Sequence, residues 1–235
     1  MKITIRALTA MTAFAALFQA LPAAADDSDP VYNNDFRAGL YSVFYHTSGN
    51  DLQGPYVPAG VNFKADNLET LYIGYVRSLP ANLQVEVALG YPPLSKVEGK
   101  GLATVGSVPY NGQVVSSARW LSPTVLLEYV FLSPDSKLRP FIGAGVNYTS
   151  FYDRNQTAAG DAATGGPTKV SLSSSVGPAG TVGATYKFTS HWHLNMSYSI
   201  TRVNSHVQLD TAGAIRTTEI KFGPQALVVS GGYSF

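Results

Sequence analysis

Residues 191–200 alternate with a period of two. Trp192, Leu194, Met196, Tyr198 and Ile200 are bulky and apolar, while His193, Asn195, Ser197 and Ser199 between them are polar. Successive side chains of a strand leave on opposite faces, so the run predicts a β-strand with one greasy and one wet face. The same period recurs over 83–91, 123–131, 139–151, 176–188 and 223–235, and less regularly over 35–46 and 68–78. The pattern predicts eight strands and no helix.

The connections fall into two kinds that strictly alternate. Residues 78–82, 133–137 and 189–191 are short turn-forming clusters of Ser, Pro, Asn, Asp and Thr. Residues 46–67, 92–117, 154–169 and the shorter 207–220 are long connections, so all the long ones emerge at one end of the sheet. Short turns at one end and long loops at the other are what outer-membrane barrels show. A soluble sandwich or lipocalin-like barrel has no reason to segregate them.

Composition decides which way the greasy face looks. Only 13% of the chain is charged, against about 25% in ordinary globular domains, and the polar face is built from Gly, Ser, Thr, Ala and Asn. Small residues suit the crowded interior of a narrow barrel, where about eight strands leave just enough room for side chains. The apolar face carries Tyr91, Phe131, Tyr148, Trp192, Tyr233 and Phe235 near strand ends. Of these, Trp192, Tyr233 and Phe235 are the chief candidates for a membrane-interface girdle. The fold expected is an all-β, eight-stranded antiparallel transmembrane β-barrel with short periplasmic turns and long extracellular loops.

The first 25 residues read as a leader. Lys2 and Arg6 precede a 15-residue apolar stretch from 7 to 21, too short for a helix of roughly 20 residues that would span a membrane. Ala23-Ala24-Ala25 then supplies a small-x-small cleavage pattern. The expected organisation is a signal peptide over 1–25 and an outer-membrane barrel over 26–235. Without Lys2 and Arg6, fourteen basic residues face fifteen acidic ones. No basic stripe points to nucleic acid. The chain has no cysteine, which excludes disulfides, thiol nucleophiles and thiolate metal sites.

At this point the chain resembles the OmpW family of small outer-membrane barrels. The most specific stretch is "SKLRPFIGAGVNYTSFYD" (136–153), followed by "SVGPAGTVGATYKFTSHWHLNMSYSI" (175–200) and the closing "GGYSF". Val176 and Ser122-Pro123 depart from the family pattern, and the long loops match poorly. The resemblance implies a monomeric barrel of the Gram-negative outer membrane, surrounded by lipid, that passes small hydrophobic molecules. It further implies a blocked lower lumen, a pocket under the loops and sideways exit into the membrane. A last strand ending in Phe235 resembles the signal read by the barrel assembly machinery. The competing reading is a structural or adhesion barrel whose loops bind an outside partner.

Strand parity turns Arg37, Glu86, Glu128, Arg139 and Lys187 inward, where opposite charges are expected to pair and plug the lumen. A broad aqueous channel needs about 16 strands. Lumen-facing Tyr41, Val43, Thr70, Tyr72, Asn147 and Thr149, near the loop end, combine apolar bodies with polar handles and are the candidates for a ligand site. His191 and His193 have a minimal metal-ligand spacing but no evident third ligand, so neither a metal nor any other cofactor is expected. No G-x-S-x-G elbow is present, and "GAGVNY" lies inside a strand rather than opening a helix, so catalysis is not expected.

Overall fold

The computed structural model describes residues 33–105 and 107–235, and the leader expected over 1–25 lies outside them. In chain order, β1 (Asn34–Tyr45) leads to the short β2 (Ser48–Gly49) and β3 (Asn62–Ala65), then to the hairpin of β4 (Leu68–Leu79) and β5 (Leu83–Gly90). Next come β6 (Leu94–Lys100), β7 (Thr104–Val105), β8 (Val108–Pro109) and β9 (Val114–Leu121). They precede β10 (Thr124–Val130) and the 19-residue β11 (Leu138–Gln156). Helix α1 (Ala158–Thr164), β12 (Lys169–Leu172), β13 (Ser175–Lys187) and β14 (Trp192–Thr201) follow. The hairpin of β15 (Asn204–Thr211) and β16 (Ala214–Lys221) comes before β17 (Pro224–Ser234).

Eight of these strands pair in the closed antiparallel order β1-β4-β5-β10-β11-β13-β14-β17, with β17 returning to β1. Closure leaves no unpaired edge, the condition hydrocarbon imposes on a spanning sheet. The expected strands coincide with the observed ones to within a few residues, except that β11 runs on to Gln156.

The outward face is apolar all round the ring. Leu40, Leu127, Ile142, Val182, Met196 and Ile200 are each more than half exposed. Water-soluble monomers rarely expose an apolar band of this kind. Trp192 and Tyr233 meet edge-to-face with ring centroids 5.0 Å apart, and Phe235 is exposed beside them on the outer face, at the turn end of the barrel. Lipid is the solvent of this face.

The long connections are more ordered than their Gly- and Pro-rich sequences suggest. β11 rises past the ring to pair with β9, which pairs with β6 and β6 with β3. A second sheet, β12-β15-β16-β2, stands opposite. Leu52, Phe63, Tyr110, Val170, Leu209 and Phe222 belong to an apolar cluster of buried residues in this rim. The expected eight strands form the ring, whereas the expectation of no helix is corrected here. α1 has only seven residues, below the length at which a helical period can be read, and its signals are caps. The Thr157 hydroxyl accepts from the Gly160 amide at 3.1 Å, and Gly165 closes the helix in the left-handed region at φ 87°. Thr157→Ala is expected to destabilise this turn by about 1 kcal/mol, seen as faster amide exchange over 158–164 with the ring unaffected.

Candidate functional site

The lower lumen is filled by a charged cluster. Arg37, 1% exposed, places Nη1 3.2 Å from Glu86 Oε2 and Nη2 3.6 Å from Asp35 Oδ2. The Tyr72 hydroxyl donates to the other Glu86 oxygen, and the Gln84 amide donates to Glu128. His193 extends the group, with Nε2 3.9 Å from Asp35 Oδ2. Glycines on neighbouring strands make the room. A Cβ on Gly143 would meet Glu128 Cγ at 2.6 Å, and one on Gly232 would overlap the His193 ring. The glycine-rich face therefore serves the packing of this floor.

Of the five inward charges read from parity, Arg37, Glu86 and Glu128 lie together. Arg139 and Lys187 make no ion pair among the described residues; Lys187 lies across from His193, and its Nζ donates to the Pro134 carbonyl at 3.1 Å. Residues 191 and 193 also separate. His193 is buried in the lumen, whereas His191 lies in the turn, with Nδ1 2.9 Å from the Ser234 carbonyl.

Above the floor three cavities are stacked. The lowest, about 30 Å³, is lined by Tyr41, Tyr72 and Glu86. The next, about 50 Å³, is lined by Tyr41, Val43, Asn147 and Thr149 together with Trp120 and Phe222. The uppermost is a vestibule of about 270 Å³ inside the rim, and it shares Val97, Ala118, Leu172 and Phe222 with the cavity below. Thr70 lines none of these, and its hydroxyl donates to the Tyr91 carbonyl at 2.7 Å. Asn147 and Thr149 use their polar groups on the wall. Asn147 Nδ2 donates to Ser122 Oγ at 2.7 Å and Thr124 Oγ1 at 2.8 Å, and the Thr149 hydroxyl donates to Asn147 Oδ1 at 2.8 Å. What they leave facing the cavity is mostly apolar.

Most vestibule residues lie in the long connections, where Gly and Pro mask the strand period. A signal is nevertheless present in one of them: Val207 and Leu209 sit in a short alternating run. Burial pushes the Tyr110 phenol well above its ordinary value, in keeping with the dry apolar interior of the rim.

The wall is interrupted above the β5–β10 ladder. The β5–β10 ladder ends at Thr124 opposite Ala88, and the next cross-pair above it joins Leu94 of β6 to Arg119 of β9. Between these pairs run Leu89–Pro93 on one side and Trp120–Pro123 on the other. Pro92, Pro93 and Pro123 carry no N–H to donate across the seam. Each side keeps its other neighbour: the Tyr91 amide donates to Leu71 and the Tyr148 amide to the Pro123 carbonyl, at 2.8 and 3.0 Å. Leu89, Gly90 and Ser122 from the two margins line the lowest cavity, so the gap lies beside the lumen space just above the floor.

A closed eight-stranded ring with a lipid-facing exterior, an ion-paired floor and an ordered rim defines a small outer-membrane barrel. The OmpW family profile matches residues 34–235, and the chain belongs to that family. Outer membrane protein W of Vibrio cholerae is 29% identical over 90% of this chain and 95% of its own length. The dibenzothiophene metabolism operon protein PahQ of Pseudomonas aeruginosa is 30% identical over 50% of this chain and 52% of its own. The crystal structure of the outer membrane protein OprG from Pseudomonas aeruginosa superimposes with a TM-score of 0.78 at 23% identity, covering 87% of this chain and 96% of that one. The protein resides in the outer membrane.

Proposed function

We propose that this barrel admits small hydrophobic molecules without catalysis. They enter the vestibule, descend past Trp120 and Tyr41, are stopped by the Arg37–Glu86 floor and leave through the proline-lined gap into the lipid. The observation that carries this reading is the stack of three cavities ending above a closed floor and beside an interrupted wall. A charged floor repels an apolar solute from the periplasmic route, whereas the lateral route leads from one apolar medium to another. The name of the PahQ relative associates it with dibenzothiophene, an apolar aromatic, which supports the same solute class.

Liposomes containing the protein and an internal trap test the proposal. Wild type is expected to speed entry of naphthalene above the protein-free rate, and Ala88→Phe, which fills the lowest cavity beside the gap, to return it close to that rate. An Ala88→Phe barrel that folds and transports like wild type would refute the lateral route. Deleting 154–169 would not separate adhesion from transport, because Gly160, Ala163 and Thr164 of this segment line the vestibule.

A further inference from the structure

The vestibule lining contains a single charged side chain, Arg216 of β16, which is 5% exposed. Its guanidinium is held by three neutral acceptors. Nε donates to the Pro55 carbonyl at 2.9 Å, Nη1 to Thr211 Oγ1 at 3.0 Å and Nη2 to the Thr164 carbonyl, at the end of α1, at 3.2 Å. Among the described residues no carboxylate lies within ion-pair distance of it. An arginine side chain has five N–H donors. Three are used, so one remains on each Nη. A buried cation with no counter-charge is costly, and dipoles offset that cost only in part. The Arg37 floor shows the contrasting solution within the same molecule, where Glu86 and Asp35 balance the charge.

We infer that the vestibule is a binding site for apolar molecules that end in a carboxylate, with the two spare N–H groups of Arg216 receiving the carboxylate and the apolar cluster receiving the tail. The inference rests on the reading of the vestibule as a ligand site. It adds what that reading leaves open, a preference among hydrophobic solutes for those with an anionic end. Three anchors on separate segments (52–58, the end of α1 and β15) fix the guanidinium before any ligand arrives, as selective recognition requires. They would equally suit an arginine that only ties the rim together. The two roles differ in one measurable respect, since only a ligand site distinguishes an acid from an uncharged molecule of the same length.

The full-length protein in nanodiscs, with empty nanodiscs as the blank, is titrated with octanoate and with 1-octanol against a fluorescent apolar probe. Arg216→Gln is expected to weaken octanoate on the order of ten- to a hundredfold, the worth of a charge-assisted hydrogen-bonded pair, and to change octanol by less than about threefold. Equal effects on both ligands, or octanoate binding to neither protein, would overturn the inference. If Arg216→Gln fails to fold, wild type decides. Octanamide, neutral and of the same length, is expected to bind on the order of tenfold more weakly than octanoate, and equal affinities would overturn the site. Uptake is measured separately. Octanoate binding with no accelerated entry of any apolar solute would support the anion site while refuting the passage. Accelerated entry with octanoate binding indifferent to Arg216 would do the reverse.

Discussion

Glu86→Ala is expected to destabilise the barrel by about 3–5 kcal/mol, the cost of stripping one partner from a buried ion pair. Glu86 accepts from both Arg37 and Tyr72, so its removal leaves a buried guanidinium with only the 3.6 Å contact to Asp35 and a buried hydroxyl with no acceptor. Urea unfolding in lipid vesicles measures the loss. The double replacement Arg37→Met with Glu86→Met is expected to recover part of it, because the buried guanidinium is gone, while Asp35 and the Tyr72 hydroxyl still lack their partners. Planar-bilayer recording supplies an independent readout, with ion leak rising in Glu86→Ala as the floor opens. A single replacement as stable and as tight as wild type would mean that Arg37 and Glu86 do not hold the lumen shut.

Met196→Arg is expected to cost about 2–4 kcal/mol, the penalty for a cationic side chain on the lipid face near the bilayer midplane. Met196 is 53% exposed in the middle of β14, with Ala184 and Val229 as its cross-strand neighbours. Ser197→Arg, one residue along, enters the lumen beside Gly183 and Val228 and is expected to act by crowding. Its cost should therefore fall when an inward neighbour is trimmed, whereas that of Met196→Arg should respond to bilayer thickness. Wild-type stability for Met196→Arg would reverse the assignment of faces for this strand.

The spanning strands were legible in the sequence because the two solvents of a membrane barrel differ so sharply. Lipid on one side and a narrow lumen on the other write a period of two into every strand, as in 191–200. The full extent of β11 was not legible. Its register shifts between Tyr152 and Asn155, where Asp153 adopts φ 50°, and the bulge disrupts the alternation while pairing with β9 continues. Gly and Pro punctuate the rim and hide its strands in the sequence, although Val207 and Leu209 carry the strand period.

Parity gives the facing of the candidate charges but not their partners, and of the three cations only Arg37 has a carboxylate within ion-pair distance among the described residues. It likewise set Thr70 on the same footing as Tyr72, whereas only Tyr72 reaches a cavity. Arg216 was out of reach of this kind of reasoning. Its interest lies in the absence of a carboxylate, and only three-dimensional neighbours reveal that.

The 19 residues of β11 would extend about 60 Å, roughly twice the thickness of the hydrocarbon core. The antechamber is thus framed by the same strand that forms the wall below, and its shape is set when the barrel closes. Filling it then costs the protein little conformational entropy, so occupancy is expected to be governed by shedding water at the mouth rather than by waiting for a cover to move.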